Sequence, residues 1–179
     1  NSAVSAGDDI AAADIDTLKF TPAANAGGDP YTSFTFTVND DTADSASAYT
    51  MTVDVTPVND APTAANNTVT INEDATKTFA ASDFNFADVD SDSLSSIKIT
   101  SLPGSGALTL SGSAVSQDQT IAAADIANLV YTPVANGNGD PYTTFQFKVN
   151  DGTADSASAY TMTVDVTPAN DAPTAANNT

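Results

Sequence analysis

Carboxylate and carboxamide side chains occur in short clusters along this chain, and their types and spacing suit a hard divalent cation. The densest cluster alternates three aspartates, at Asp88, Asp90 and Asp92. A hard cation can take about six to eight oxygen ligands from carboxylates, amide carbonyls and water, and these clusters supply such oxygens. The candidate ligands are Asn59, Asp60, Glu73, Asp74, Asp88, Asp90, Asp92, Asp140, Asn150, Asp151, Asn170 and Asp171.

The aspartate cluster has two simpler interpretations. Asp88-x-Asp90-x-Asp92 begins like an EF-hand loop, but Ser93 stands in place of the turn glycine and Ile99 in place of the closing glutamate. The loop is therefore not an EF-hand. Taken alone, any such cluster of Asp, Asn and Gly is more often a solvated turn, so only convergence of several clusters favours a metal.

The charge of the chain excludes two classes of partner. Its net charge is −19, from 23 acidic residues against four lysines. Such a field repels nucleic acid and anionic membrane surfaces. Glu73 is the only glutamate, and the aspartates that make up the rest favour turns and reach a cation from a loop. An acidic surface adapted to a marine or halophilic setting remains the alternative explanation.

Catalysis is not expected. The chain has no histidine or cysteine, and its four basic residues are all lysines, so the common bases, nucleophiles and oxyanion clamps are missing. A carboxylate pair of the glycosidase kind needs a raised pKa in a sheltered cleft, and loops this short and polar offer none. Without cysteine there is also no disulfide or thiolate metal site.

The elements that must position the acids are short strands. Apolar and polar residues alternate in five segments of the later part of the chain, which predicts strands with one buried and one solvated face, and two further strands are expected at 76–80 and 129–132. The five alternating segments are 69–71, 97–99, 108–110, 145–149 and 160–166. One helical turn is expected at 122–126, with a copy at 11–15. About seven strands indicate an all-β fold in the form of a two-sheet antiparallel sandwich.

A long internal repeat sets the domain organisation. Residues 1–68 recur at 112–179 with a constant offset of 111, and 51 of the 68 aligned positions are identical. A period of this length is that of a whole domain, which predicts tandem units of about 110 residues. We expect 1–60 to be the last three strands of one repeat, 61–170 a complete repeat and 171–179 the start of the next.

The expected joint between repeats is a short, stiff linker at 57–62. Pro57 and Pro62 restrict the chain and cannot extend a central strand. In a sandwich with strands lettered A to G, the B–C and F–G connections lie at the N-terminal end. The 88–92 loop and the pair Asn150 and Asp151 should therefore converge on Asn59 and Asp60.

The other end of the sandwich should gather a second group of acids. The A–B turn carries Glu73 and Asp74, and the E–F loop carries Asp140. Both should lie near Asn170 and Asp171 of the outgoing linker. Carboxylates gathered this closely repel one another, and a cation that relieves the repulsion would lock neighbouring repeats end to end. The outward-facing Asp54 and Asp165 are expected to be only the solvated side of the last strand.

Residues 1–60 present a separate problem. Half a sandwich leaves an apolar sheet face and an open edge, so we expect another segment of the protein or a neighbouring chain to cover it. This favours a second function, a subunit of a self-assembling extracellular filament or sheath. No apolar run is long enough to span a membrane and no signal peptide stands at Asn1, so any export signal should lie outside these residues.

The combined motifs resemble a known family. The linker Pro-x-Asn-Asp-Ala-Pro, the Asn-Glu-Asp turn, the Asp-Val-Asp-Ser-Asp loop and Val-Asn-Asp-Gly together look like the bacterial cadherin-like tandem repeats of large surface adhesins. The resemblance implies an Ig-like sandwich, calcium between repeats, and an extracellular stalk or biofilm adhesin at the cell surface. It makes Glu73 the A-strand acid and Asn59 and Asp60 the linker ligands. It places Asp88 and Asp90 in the paired-aspartate loop.

Two departures from that pattern reduce the expected number of ions. Pro57 stands where the family's linker has an aspartate, and Ala61 stands where it has a second asparagine. One or two ions per junction are therefore expected in place of three. The leading hypothesis is a calcium-stiffened spacer whose partners are neighbouring repeats or identical chains. A carbohydrate-binding module is less favoured, because the chain has no tryptophan for a sugar platform.

Overall fold

The structure is a computed structural model that describes residues 3–173 and residue 175. It divides into two compact units, unit 1 (Asn1–Val58) and unit 2 (Asn59–Thr179), which are described separately here. Both units consist of strands and short 3-10 helices. The predicted all-β fold is confirmed.

Unit 2 is a sandwich of two sheets. The first sheet has five strands in the order β3-β11-β10-β5-β8, and the second has four in the order β4-β9-β6-β7. The strands are β3 (Asn67–Asn72), β4 (Lys77–Thr78), β5 (Ser96–Ser101), β6 (Ala107–Leu110), β7 (Ser113–Ala114), β8 (Thr120–Ala122), β9 (Leu129–Thr132), β10 (Gly139–Asn150) and β11 (Tyr160–Thr167). The 3-10 helices are Ala81–Phe84 and Ala123–Asn128.

The alternation of apolar residues builds the core of unit 2. Phe145, Phe147 and Val149 point inward from β10 and are fully buried. The ring of Phe147 meets that of Phe84 edge to face, with 4.9 Å between centroids. Such contacts add about 0.5–1.5 kcal/mol beyond the burial of apolar area. The core therefore fixes β10, from which the Asn150–Asp151 turn leaves.

Unit 2 has two more strands than the predicted number of about seven. Of the additional strands, β7 is only two residues long, too short to show a period-two pattern, and β8 has three residues that run into the alanines from which a helical turn was predicted. One pairing is also parallel, since β11 runs alongside β3 with Val164 opposite Val69. The helical turn expected at 122–126 is the 3-10 helix Ala123–Asn128.

Unit 1 contains a 3-10 helix, Ala12–Thr17, and a hairpin of β1 (Gly28–Phe36) and β2 (Tyr49–Val55). The expectation of three strands is therefore wrong, because residues 18–21, which correspond to β9, form no strand. In unit 2, β9 is held between β4 and β6. Both of those strands belong to the half of the repeat that unit 1 lacks, so residues 18–21 have no strand to pair with.

None of the described residues of unit 1 is buried. Phe34 is 51% exposed and Met51 46%, although both lie on the inward-facing side of the hairpin. The tilted rings of Phe34 and Phe36 lie 6.5 Å apart on that side. The hairpin of unit 1 therefore presents an apolar face that is largely exposed.

Candidate metal centre

The 88–92 loop is folded by its own first carboxylate. Asp88 Oδ1 accepts hydrogen bonds from the backbone N–H groups of Asp90 at 2.8 Å and Asp92 at 3.2 Å. Ser91 adopts a φ of 68°, which turns the chain between them. As a result, one carboxylate oxygen from each of the three aspartates lies within 4.8 Å of the others. This is the spacing at which one cation can contact all three.

The second oxygen of Asp88 has no partner. Asp88 Oδ2 is shielded from solvent and accepts no hydrogen bond from any described residue. A buried carboxylate oxygen without a donor is costly, because desolvation disfavours its charge. A cation would remove that cost. The residues present therefore fit a hard metal ion.

The incoming linker lies directly on this loop. The backbone N–H of Asp60 donates to Asp90 Oδ2 at 2.7 Å. Asn59 Nδ2 donates to Asp151 Oδ2 at 3.1 Å and to the Asp60 carbonyl at 3.1 Å. The linker, the 88–92 loop and the 150–151 turn thus meet at one end of unit 2. All three were expected at that end from the sequence.

The side chains of Asn150 and Asp151 form hydrogen bonds within their own turn. Asn150 Oδ1 accepts from Gly152 N, and its Nδ2 donates to Asp155 Oδ1, each at 2.7 Å. Asp151 Oδ1 accepts from the N–H groups of Thr153 and Ala154. These backbone donors, with Asn59, lower the pKa of Asp151. The turn therefore presents a carboxylate that stays charged while it holds the linker.

One comparison decides the family of the chain. A family model described as a bacterial Ig domain matches residues 59–167, well over half of the chain. The chain belongs to the bacterial Ig domain family. The match begins at Asn59, so the contacts of the linker with Asp90 and Asp151 lie inside the Ig domain. No curated protein and no solved structure matches the chain.

The family supports a coarse statement of function. Bacterial Ig domains are repeat domains that commonly occur in surface proteins, and their all-β fold is of a non-catalytic type. In the part of the chain that the structure describes, no helix is both long and apolar enough to cross a membrane. The resemblance to bacterial surface repeats is confirmed at this level.

The other end of the Ig domain is organised by Glu73. This glutamate is buried, at 7% exposed. Its Oε1 accepts from the backbone N–H of Ala169 at 2.6 Å, and its Oε2 accepts from Asn138 Nδ2 at 2.9 Å. The Asn138 amide first, and then the Ala169 N–H, lower the pKa of Glu73. Glu73 therefore joins the A–B turn to the outgoing linker through hydrogen bonds.

Asn138 was missed by sequence reasoning. It lies next to the predicted Asp140, but an asparagine in a Gly-rich loop carries no pattern that distinguishes a partner of a buried carboxylate from a turn residue. Asp74, a predicted ligand, accepts from the backbone N–H of Asn136 at 3.1 Å. Its carboxylate thus fixes the same loop.

Among the described residues, the carboxylates at this end form no cluster of three like that of the 88–92 loop. Asp140 lies beside Asp165, and desolvation followed by the charge and hydrogen bond of Asp140 raises the pKa of Asp165. The expectation that Asp165 is merely solvated is wrong, because its Oδ1 is buried without a partner among the described residues. Asn170 and Asp171 are exposed, and Asn170 Nδ2 donates to the Asp171 carbonyl as Asn59 does to Asp60.

Proposed function

We propose that this bacterial Ig domain is a spacer in an extracellular repetitive surface protein, stiffened by calcium at the N-terminal end of each domain. The observation that carries the proposal is the hydrogen bond from the linker residue Asp60 to Asp90, within the cluster of three aspartates. This contact makes the conformation of the linker depend on the loop that would hold the ion.

The donor set favours calcium over softer metals. The cluster offers carboxylate oxygens from Asp88, Asp90 and Asp92. The chain has no histidine or cysteine, which are the preferred ligands of zinc and copper. A cluster of carboxylate oxygens in which Asp90 and Asp92 are exposed suits calcium, whose coordination geometry is adaptable, better than magnesium, which demands near-octahedral geometry.

Calcium would act here by removing repulsion. Asp88 and Asp90 bring carboxylates together in a chain of net charge −19, and each like charge disfavours the compact loop. Bound calcium would hold the loop closed and, through Asp90, retain the linker against the domain. An ion that binds only the folded state stabilises it by roughly 2.7 kcal/mol at a hundred times its Kd.

Thermal unfolding with calcium or with a chelator tests the proposal. We expect calcium to raise the melting temperature by several degrees, and Asp88→Asn to abolish most of that increase. Asp125→Asn, a matched loss of charge in the 3-10 helix Ala123–Asn128, should leave the increase intact. Equal melting temperatures in calcium and chelator would remove calcium from the proposed function.

A further inference from the structure

Unit 1 displays, uncovered, the same apolar surface that unit 2 buries. In unit 2, residues 112–170 contribute eleven buried apolar side chains to the core, and ten of these recur unchanged in unit 1 at the repeat offset of 111. Phe145 and Met162 are fully buried, whereas their copies Phe34 and Met51 are 51% and 46% exposed. The one difference is Phe20 in place of Tyr131.

The β1–β2 hairpin of unit 1 already has the conformation of its counterpart in unit 2. Phe34 pairs with Met51 across the β1–β2 hairpin as Phe145 pairs with Met162. The register shift near the start of β1 also recurs in β10. The turn that follows is the same too, since Asn39 bonds Asp44 as Asn150 bonds Asp155. Binding would therefore need little rearrangement of the hairpin.

Residues 61–111 show what covers this surface in unit 2. Their strand β5 runs antiparallel to β10, and their strand β3 runs parallel to β11. Between the two sheets, Phe84 packs edge to face on Phe147 and Phe79 on Phe145. In unit 1, neither outer edge of the β1–β2 hairpin pairs with a further strand among the described residues.

We propose that the apolar face of unit 1 binds a polypeptide segment with the sequence of residues 61–111, supplied by a further repeat of the same kind. The segment places a β5-type strand along β1, a β3-type strand along β2, and two phenylalanines on Phe34 and Phe36. Both free edges and the apolar face are satisfied at once, as they are in unit 2. The proposal is independent of calcium.

A second copy of the bare face fits this surface less well. Two such faces pressed together would bury apolar area, but each hairpin would still have two edges to satisfy. An occupant must deliver one antiparallel strand, one parallel strand and a pair of aromatic side chains. Residues 61–111 provide all of these in unit 2.

The test adds a separate, unlabelled polypeptide of residues 61–111 to the isotope-labelled full chain, in chelator. We expect a one-to-one complex in which the methyl resonance of Met51 moves toward that of Met162, and the amides of β1 and β2 become protected from exchange. Absence of a complex would overturn the proposal. So would shifts confined to Met162, which mean exchange within unit 2, or self-association of the chain through Met51 without the added polypeptide.

Three variants make the test specific. Phe34→Asp should abolish binding, whereas Thr35→Asp, on the outward face of the same strand, should not. Tyr131 donates from its hydroxyl to the Ser105 carbonyl at 2.8 Å, an interaction that Phe20 cannot make. Phe20→Tyr should therefore tighten binding several-fold. Unchanged affinity in both Phe34→Asp and Phe20→Tyr would place the added polypeptide elsewhere and contradict the proposal.

Discussion

The backbone N–H of Asp60 donates a 2.7 Å hydrogen bond to the carboxylate of Asp90, thirty positions later in the chain. Asp90 also belongs to the cluster that brings three carboxylate oxygens within 4.8 Å. One side chain thus connects the entry of the chain into the Ig domain to the candidate metal centre. Any change in the charge or position of Asp90 should therefore alter the hydrogen bond of the Asp60 backbone N–H.

Loss of the Asp90 carboxylate should free the linker. In chelator, Asp90→Ala removes the acceptor of the Asp60 N–H, and we expect exchange of the Asp60 amide with solvent to become roughly tenfold faster. Amide exchange followed by NMR measures this directly. Asp125→Ala serves as the charge control. An unchanged rate for Asp60 in Asp90→Ala would mean that the hydrogen bond contributes nothing to linker order.

Replacement of Glu73 should lower the stability of unit 2 only at pH values at which the native glutamate is charged. Glu73→Gln retains one acceptor oxygen, so either the Ala169 N–H or the Asn138 amide loses its partner. Because folding lowers the pKa of Glu73, its stabilisation is present above the unfolded-state pKa and is lost as pH falls through the folded-state value. We expect a melting temperature lower by a few degrees at pH 7, and a difference that shrinks as pH falls through the folded-state pKa of Glu73. A deficit that does not change with pH would contradict this reasoning.

Replacement of Asp165 should raise the melting temperature of unit 2 at neutral pH, whereas replacement of Glu73 lowers it. Folding raises the pKa of Asp165 through desolvation and the neighbouring Asp140. The protonated form is therefore favoured, and that contribution is lost as pH rises through the folded-state pKa. Asp165→Asn should raise the melting temperature at pH 7 and change it little near pH 3, both measured in chelator. Asp54→Asn, the same change in unit 1, should leave the unfolding of unit 2 unaffected.

Loss of a phenylalanine ring should destabilise unit 2 when the residue is Phe145, but not when it is the equivalent residue of unit 1, Phe34. Phe145→Ala empties a fully buried position of unit 2 and should lower its free energy of unfolding by about 3–5 kcal/mol. Phe34→Ala changes an exposed copy of that residue and should alter the unfolding of unit 2 by less than about 0.5 kcal/mol. Chemical denaturation of the two variants measures the contrast. Equal losses would mean that Phe34 packs into the core of unit 2.

Period-two patterning predicted much of the sandwich. Each of the seven expected strands overlaps an observed strand, since apolar residues that alternate along a strand place one of its faces in the core. The pattern could not show β7 and β8, whose two and three residues are placed by pairing with β6 and β5. The pattern also predicted a third strand in unit 1, at the Leu18 segment, which has no partner strand there.

The candidate site was predictable in its location and less so in its contacts. Chain reversal at each connection places the 88–92 loop beside Asn59 and Asp60. Which atoms meet is set by backbone donors, as in the bonds from Asp60 N and Ala169 N, and these carry no signal in a sequence. The partnership of Glu73 with Asn138 likewise depends on loop geometry and not on residue spacing.

A calcium titration of the isotope-labelled chain, followed through its backbone amide resonances, shows whether calcium binds at the 88–92 loop and orders the linker. We expect saturable shifts concentrated at Asp60, Asp88, Asp90 and Asp92, together with slower exchange of the Asp60 amide. In Asp88→Asn these shifts should be lost, while the fold of unit 2 is retained. Resonances that do not move with calcium, or that move equally at exposed aspartates such as Asp125, would contradict a calcium-controlled joint.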